Sequence, residues 1–341
     1  MKIAILDDYQ DAVRGLDCFK LIDGHDVKVF NNTARGLGQL AIRLAPFDAL
    51  VLIRERSSFN RALLSKLPNL KLLSQTGKAG SHIDAAAATE LGIAIAEGLG
   101  SPTAPAELAW TLIMAARRKI VPYAQHLQEG LWQTASIEPA LNTLGTTLKG
   151  RTLAIWGYGR IGQLVAGYGR AFGMRVLVWG SPASRAAAVA AGDTAAQSRE
   201  EFFAQADVLS LHLRLADATR GIVTADDLAR MRPTALFVNT SRAELVATGA
   251  LEAALQQGHP GAAALDVFTE EPLPPASPLL QLPNVLATPH LGYVERDSYE
   301  LYFGHALQNI VDFAQGQCTR LLNPEVLAHA RQQAFRSVEN P

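Results

Sequence analysis

The sequence predicts an α/β protein of two domains, each built on a doubly wound parallel sheet, with a cleft between them. Short runs of leucine and β-branched residues alternate with longer stretches of helical period. That alternation is typical of parallel sheets covered by helices on both faces. The chain has 341 residues, which corresponds to about two domains.

The first hundred residues contain five predicted strands with helical segments between them. These strands are Lys2 to Leu6, Val27 to Val29, Ala49 to Ile53, Leu70 to Ser74 and Ile93 to Ala96. One helix is predicted over Asn60 to Leu67. A second is predicted over Ala104 to Arg118, where basic residues suit the negative end of the helix dipole. We expect this second helix to link the two domains.

A second series of six strands follows, the number expected in a complete dinucleotide-binding sheet. These strands are Thr152 to Trp156, Arg175 to Val178, Val208 to Leu211, Ala235 to Asn239, Ala262 to Leu265 and Val285 to Ala287. The proline-rich segment Glu271 to Pro278 is predicted to be a loop.

Composition excludes several classes of partner. Basic and acidic residues number 31 and 32, for a net charge of −1, and no block of like charge marks a surface for nucleic acid or an anionic membrane. No apolar run approaches the roughly 18 residues that span a bilayer. We therefore expect neither a nucleic-acid nor a membrane partner.

The cysteines and the N-terminus predict a cytoplasmic protein. Cys18 and Cys318 are the two cysteines, too few for a disulfide framework. The opening residues lack the order of a secretory signal. No cluster of histidine, cysteine and carboxylates has metal-ligand spacing, so we expect no metal.

A glycine-rich turn predicts the dinucleotide site. Gly157, Gly159 and Gly162 follow a predicted strand and open a predicted helix, with Arg160 and Ile161 among them. In this context the glycines allow a tight turn, the approach of a pyrophosphate to backbone, and close packing of helix on strand.

The next strand end leaves the choice between NAD and NADP open. An acidic residue that holds the ribose hydroxyl is expected there, but the segment begins Gly180-Ser181 and continues to Arg185. Asp193 lies too far along the sequence from this strand end to be that acidic residue. The two serine hydroxyls of this segment and Arg185 would tolerate a 2'-phosphate, and NAD with fewer ribose contacts is an equal alternative.

Three polar residues follow three strands of the second series. Arg242, Glu271 and His290 each lie beyond a strand's carboxyl end, where ligands bind in such sheets. Arginine offers a planar fork for a carboxylate, and histidine titrates near neutrality. A glutamate beside the histidine would fix its tautomer. The set suits a 2-oxo acid.

These segments resemble the signatures of the D-isomer-specific 2-hydroxyacid dehydrogenases in order and spacing. The motifs are Asn239-Thr240-Ser241-Arg242, then Ala264 to Pro272, then Thr288-Pro289-His290-Leu291-Gly292, together with Gly157 to Gly162, Ser210-Leu211-His212-Leu213 and Pro105-Ala106-Glu107-Leu108. The resemblance covers nearly the whole chain.

The resemblance implies roles for particular residues. Arg242, Glu271 and His290 fall on the catalytic positions, and Asp266 falls on the aspartate that contacts the nicotinamide. Thr240 and Ser241 fall on backbone contacts near the cofactor, and we expect His212 to lie near it as well. Residues 1–100 with 291–341 would form the substrate domain and 101–290 the dinucleotide-binding domain of a homodimer.

Four departures from the family pattern concern cofactor and substrate. Ala243 replaces a usual glycine, Gly180 replaces a usual acidic residue, and Arg214 replaces a usual proline. In the substrate loop that begins at Gly77, Lys78 adds a charge and Ala79 takes a glycine position.

Two arginines extend the candidate substrate site. Arg54, with Arg56, follows a strand and could reach an anionic group, or both could be solvated beside Glu55. With Lys78, Ala79 and Arg242, Arg54 completes the predicted substrate contacts.

The predicted reaction is reversible hydride transfer between NAD or NADP and C2 of a small 2-hydroxy or 2-oxo acid. Glyoxylate, hydroxypyruvate, phosphoglycerate and bulkier acids all remain open. A formate dehydrogenase of the same fold is disfavoured, because it carries glutamine where Glu271 stands. The alternative of another class is a dinucleotide-sensing protein, similar to corepressors of this fold, which would bind NAD(P)H without consuming it.

Overall fold

Two parallel sheets organise the chain. The structure, a computed structural model, describes residues 1–34, 36–134, 136, 144–318 and 320–339. The chain divides into two units, Met1–Ser101 with Glu295–Pro341, and Pro102–Val294.

Twelve strands form within the described residues. They are β1 (Lys2–Ile5), β2 (Asp26–Val29), β3 (Ala49–Leu52), β4 (Leu72–Gln75), β5 (Ala94–Ala96), β6 (Thr152–Trp156), β7 (Arg175–Trp179), β8 (Thr194–Ala195), β9 (Val208–Leu211), β10 (Leu236–Asn239), β11 (Ala262–Leu265) and β12 (Val285–Ala287).

The same described residues form thirteen α-helices and five short 3-10 helices. The α-helices are α1 (Leu37–Leu44), α2 (Arg61–Leu64), α3 (Ala85–Glu90), α4 (Thr103–Arg118), α5 (Ile120–Gln128), α6 (Arg160–Ala171), α7 (Pro182–Ala190), α8 (Arg199–Gln205), α9 (Ala225–Ala229), α10 (Ala250–Gln257), α11 (Pro278–Gln281), α12 (Arg296–Ala314) and α13 (Ala330–Glu339). The 3-10 helices are Val13–Gly15, Asp17–Ile22, Asp217–Thr219, Ala243–Leu245 and Pro324–Ala328.

The first unit holds a sheet of five strands in the order β2-β1-β3-β4-β5, and all its pairs are parallel. Its central strands are apolar on both faces, as a sheet covered on both sides requires. Ile3, Leu50, Leu73 and Ile95, one from each of four strands, are fully buried. This burial holds the strand ends in fixed positions.

The second unit holds a parallel sheet of seven strands in the order β12-β11-β10-β9-β6-β7-β8. One face packs on an aromatic cluster of Trp156, Phe202 and Phe203, whose ring centroids lie 5.5–6.0 Å apart. The predicted fold class, α/β with two parallel sheets, is confirmed.

The prediction of six strands in the second sheet is wrong by one. The missed strand, β8, has two residues, which pair with Leu177 and Val178 of β7, and two residues carry no detectable period. Counted from β6, the order contains the 3-2-1-4-5-6 arrangement of dinucleotide-binding sheets.

The helix predicted over Asn60 to Leu67 is shorter than expected. Asn60 caps it instead of joining it, since its side-chain oxygen accepts the amide of Leu63 at 3.0 Å. The helix ends at Leu64. Of the 22 predicted strand ends, 14 are confirmed and eight differ from the structure by one or two residues. The side-chain pattern does not mark the last hydrogen bond of a ladder.

Candidate active site

The glycine-rich turn after β6 leads directly into α6. Gly157 has a φ of +99°, and a Cβ on it would lie 2.5 Å from the carbonyl oxygen of His212. A Cβ on Gly162 would lie 2.1 Å from the oxygen of Gly157. Gly159 caps the helix, and no atom lies within 4 Å of where its Cβ would stand. The first helical residues are Arg160 and Ile161. The turn thus leaves space for an anion at the helix N-terminus.

The segment after β7 presents hydroxyl groups and a cation. Gly180 has a φ of +149°, and Ser181 Oγ accepts the amide of Ser184 at 3.2 Å to cap α7. The Arg185 guanidinium lies 4.9 Å from the centroid of the Trp179 ring, a cation–π contact. Its Nε is buried and has no hydrogen-bond partner among the described residues.

Asp193, the nearest acidic residue in sequence after this segment, has a structural role. Its carboxylate accepts the hydroxyl of Tyr158 at 2.6 Å and forms an ion pair with Arg170 at 2.6 Å. Asp193 is buried. These contacts occupy its carboxylate, so it is not offered to a ribose.

His212 follows β9 and is half-buried. Its Nε2 lies 3.0 Å from Ser210 Oγ, and its backbone amide donates to Trp156 at 2.8 Å. Burial lowers the pKa of His212 to about 4, because a buried site disfavours the charged ring. His212 is therefore neutral at pH 7.

The turn after β10 is held by Asn239. Its side-chain oxygen accepts the amide of Ser241 at 3.0 Å, and its side-chain nitrogen donates to the carbonyl of Arg242 at 2.9 Å. Ser241 Oγ donates to the Leu211 carbonyl at 2.7 Å. This Asx-type turn carries Thr240 and fixes where the Arg242 side chain leaves the backbone.

Glu271 and His290 form an ion pair. His290 Nδ1 lies 2.7 Å from Glu271 Oε2, and the other carboxylate oxygen accepts the amide of Phe268 at 2.9 Å. Burial by itself would raise the pKa of Glu271, but the hydrogen bond and charge of His290, with the Phe268 amide and the charge of Arg242, hold it below its usual range. The structure thus brings Arg242, Glu271 and His290 together.

His290 is held in an unusual conformation that leaves its second ring nitrogen available. Its φ of +54° lies in the left-handed region, which costs a residue with a side chain about 1 kcal/mol or more and recurs at functional sites. The ring packs edge-on against Tyr293, with centroids 5.6 Å apart. Nε2 has no hydrogen-bond partner among the described residues. It is positioned to exchange a proton with a ligand.

Asp266 lies directly beneath the histidine loop. One carboxylate oxygen accepts the Thr288 hydroxyl at 2.6 Å and the Leu291 amide at 2.7 Å, and the other accepts the Gly292 amide at 2.8 Å. Burial raises the pKa of Asp266 despite these hydrogen bonds. The side chain is fully buried, so it holds the loop in place, and its contact with a nicotinamide stays a prediction.

In the first unit, Arg54 lies over the glycine of the substrate loop. Its amide donates to Thr76 Oγ1 at 3.0 Å, and its guanidinium faces the Tyr302 ring at 5.9 Å. A Cβ on Gly77 would lie 2.3 Å from Arg54 Nη1. Arg54 also has a positive φ of 52°. The glycine therefore makes room for the guanidinium.

Glu97, just after β5, binds the substrate loop from the next strand end. Lys78 Nζ lies 2.6 Å from Glu97 Oε2, and the amide of Ala79 donates to Glu97 Oε1 at 2.9 Å. The amides of Lys78 and Gly80 donate to no other described residue. Contacts of Lys78 and Ala79 with substrate stay predictions, and the Ala79 amide already has a protein acceptor.

Comparison with known proteins identifies the family. Residues 110–292, more than half of the chain, match the NAD-binding domain of the D-isomer-specific 2-hydroxyacid dehydrogenases. A glyoxylate reductase from Aeropyrum pernix is 40% identical over 276 residues, which cover 80% of this chain and 82% of that protein.

The chain belongs to the D-isomer-specific 2-hydroxyacid dehydrogenases.

Two further members of the family share this similarity. A D-3-phosphoglycerate dehydrogenase from Methanocaldococcus jannaschii is 35% identical over 255 residues, which cover 74% of this chain and 47% of that protein. The crystal structure of a phosphoglycerate oxidoreductase from Vibrio cholerae o395 has a TM-score of 0.90 and 57% identity, covering 93% of this chain and 99% of that one. The family and enzyme class predicted from the motifs are confirmed, and this dehydrogenase uses NAD or NADP.

Sequence reasoning missed the residues of this dehydrogenase that hold others in place. Asn239 was noticed only as part of a motif, and its place two residues before Ser241 was the available signal for an Asx turn. No sequence pattern indicated the role of Glu97, because Lys78 and Glu97 follow different strands and α3 lies between them in the chain. Tyr293 follows the histidine motif, and no spacing rule predicts that its ring packs against His290.

Neither a metal cluster nor a membrane helix was found in the parts of the chain that the structure describes. No group of three or more histidine, cysteine and carboxylate residues could hold an ion. No helix is long and apolar enough to cross a bilayer.

Proposed function

We propose that this dehydrogenase reversibly reduces a small 2-oxo acid to the D-2-hydroxy acid, with Arg242, Glu271 and His290 as its catalytic residues. The observation that carries this proposal is the 2.7 Å pair of His290 with Glu271, close enough to Arg242 for that charge to lower the pKa of Glu271. A proton donor, its ionised partner and a guanidinium are what the reduction of a carbonyl beside a carboxylate requires.

The residues around the glycine-rich turn fit a dinucleotide. The space at Gly159 and the free N-terminus of α6 suit a pyrophosphate, and Gly180, Ser181 and Arg185 would lie at the ribose. When bound, the nicotinamide supplies or accepts the hydride. Thr240, Ser241 and His212 are the further residues that we assign to cofactor contact.

The chain's own residues perform the remaining steps. Arg242 binds the carboxylate of the acid and polarises its carbonyl. His290, protonated and oriented through Nδ1 by Glu271, donates the proton on Nε2 to the carbonyl oxygen during reduction and takes it back during oxidation. Asp266 holds the backbone at Leu291 and Gly292, so the imidazole keeps its direction.

From the first unit, the substrate contacts that we propose are Arg54 and the loop of Gly77 to Gly80. Arg54 supplies a guanidinium, and the Lys78 and Gly80 amides supply donors without a protein acceptor in the described part of the chain. Parallel strand ends are where such sheets bind ligands. The first unit then acts as the substrate domain and the second as the dinucleotide-binding domain.

Loss of absorbance at 340 nm tests the proposed function. The purified protein would be assayed with NADH and NADPH in parallel against glyoxylate, hydroxypyruvate, pyruvate and phenylpyruvate. Turnover of any acid supports the proposal, and the ratio of the two cofactors shows whether Ser181 and Arg185 favour a 2'-phosphate. Tight NAD(P)H binding with no turnover of any acid would contradict it and favour the dinucleotide sensor.

We also propose that the protein is a cytoplasmic homodimer. Helix α5 has no buried residue, and Ile120 and Leu127 on it are each more than half exposed, as is Trp132. An apolar helix left uncovered in one chain suggests a protein interface. Light scattering coupled to size exclusion would give twice the chain mass for a dimer.

A further inference from the structure

The strand ends of the first unit carry more negative than positive charge. Within five residues of the ends of β1, β3, β4 and β5, the carboxylates are Asp7, Asp8, Glu55 and Glu97, and the cations are Arg54, Arg56 and Lys78. Four against three leaves a net charge of −1. A substrate with two anionic groups needs excess positive charge at such a site.

Each of these cations already contacts oxygen atoms of the protein. Arg56 Nη1 donates to the carbonyl of Asp7 at 2.5 Å, and its guanidinium lies 4.6 Å from the Tyr9 ring centroid. Lys78 pairs with Glu97 at 2.6 Å. Arg54 Nη1 donates to the Thr76 carbonyl at 3.4 Å, and its Nε lies 4.0 Å from Glu55 Oε2. The protein therefore supplies oxygen partners to every cation at these strand ends.

Glu97 is fixed more firmly than its partner Lys78. Its side chain is 14% exposed, against 69% for Lys78. The Glu97 amide donates to the Arg320 carbonyl at 3.0 Å, and Asn309 Nδ2 donates to the Glu97 carbonyl at 3.1 Å. The Glu97 backbone is therefore held on both sides, and its carboxylate lies beside the loop of Gly77 to Gly80, where Lys78 pairs with it.

We propose that Glu97 determines substrate specificity by cancelling the charge of Lys78, so that the loop accepts a 2-oxo acid with one anionic group and discriminates against one with a second. This inference rests on the proposed function, since it assumes that the loop of Gly77 to Gly80 binds substrate.

Hydroxypyruvate and its 3-phosphate ester are the matched substrates for the test, because they differ only by the phosphate. The quantity compared is kcat/KM for the ester divided by kcat/KM for hydroxypyruvate. In the unaltered protein this ratio should be about 0.1 or lower. A ratio above 1 would overturn the proposal.

Two substitutions should move this ratio in opposite directions. Glu97→Gln keeps one oxygen to accept the Ala79 amide but leaves the Lys78 charge uncompensated, so the ratio should rise about tenfold, or about 1.4 kcal/mol. Lys78→Met leaves the Glu97 charge uncompensated, so the ratio should fall severalfold. Lys78 is exposed, so its replacement has little reason to disturb folding. If either variant folds and the ratio stays the same, the proposal is wrong.

A control variant and a salt series test whether the charge of Glu97 causes the change in the kcat/KM ratio. Glu90→Gln removes the carboxylate of an exposed pair with Arg61 at 2.7 Å in the same unit, and the ratio should not change. The rise in Glu97→Gln should shrink at about 0.5 M salt, because salt screens exposed charges. A rise that is independent of salt would contradict the charge mechanism.

The same assay separates the two proposals. Turnover of both acids with the ester preferred leaves the proposed function standing and rejects the role of Glu97. No turnover of the ester or of any of the four acids named above, while NAD(P)H binds, rejects the proposed function and this inference with it.

Discussion

Two ion pairs at strand ends, one in each unit, have nearly the same length and opposite exposure. His290 and Glu271 are 2.7 Å apart, with side chains 23% and 36% exposed. Lys78 and Glu97 are 2.6 Å apart, with side chains 69% and 14% exposed. In the second unit the histidine is less exposed than its carboxylate partner. In the first unit the carboxylate of Glu97 is less exposed than Lys78.

We infer that the less exposed partner of each pair is the one with the function. The Glu271 carboxylate orients the imidazole of His290 through Nδ1, which suits proton transfer at Nε2. The Glu97 carboxylate accepts the Ala79 amide and pairs with the exposed Lys78, which suits the organisation of a loop. We therefore expect changes in the second unit to act on the reaction rate and changes in the first to act on substrate binding.

The largest effect is expected from removing the histidine of the pair that His290 forms with Glu271. His290→Ala deletes the proton donor, so kcat for 2-oxo acid reduction should fall by about 10³-fold. The affinity for NADH, measured by quenching of tryptophan fluorescence, should stay unchanged. His305→Ala is the matched control, at a histidine of α12 whose Nδ1 lies 3.0 Å from Arg320 Nη1. Comparable kcat values in the two variants would remove His290 from the mechanism.

A second test sharpens the contrast through stability in acid. Because the pKa of His212 is lowered to about 4, the unfolded chain binds a proton near its ordinary pKa of about 6.5 while the folded chain does not. The free energy of unfolding should therefore fall as pH drops from 6.5 to 4, by up to about 3 kcal/mol.

The variant His212→Gln isolates this contribution. Glutamine does not titrate, so urea unfolding of the variant should lose less stability than the parent over the same pH interval. Equal losses in the parent and the variant would show that other groups cause the acid sensitivity.

The third test replaces Glu271 by glutamine, the same change that the further inference makes at Glu97. Glu271→Gln removes the charge that favours the protonated imidazole, so kcat for reduction should fall about 10²-fold. An unchanged kcat would mean that Glu271 does not act through His290.

The smallest effect is expected from Arg54→Met. Loss of a charge-assisted hydrogen bond to the acid should raise KM about tenfold, with a smaller change in kcat, as measured by steady-state kinetics. Methionine keeps much of the apolar stem over Gly77. A fall in kcat without a change in KM would contradict the division between the two units.

Local sequence was informative where a motif lies within one turn. The glycines at 157, 159 and 162 predicted the phosphate turn, and the structure gives Gly157 the positive φ and Gly162 the close contact that such a turn needs. Strand β8 was not predicted, because two residues are too few to show a hydrophobic period. The boundaries of α2 were missed because a capping asparagine looks like helix until its side chain is seen.

Local sequence patterns were enough to assign the class of the protein. Alternating strand and helix patterns, the glycine-rich turn and the three strand-end motifs are local features, and each follows from the preferences of neighbouring residues. They were sufficient for the α/β fold, the family and the candidates Arg242, Glu271 and His290.

Which side chains contact one another depends on the folded chain. Asp266 and Gly292, like Lys78 and Glu97, come together because parallel strands end at the same edge after long crossovers. The separation of two residues along the chain does not predict the distance between their side chains in space. The burial that lowers the pKa of His212 also depends on neighbours from several segments, so the electrostatics of the site exist only in the folded chain.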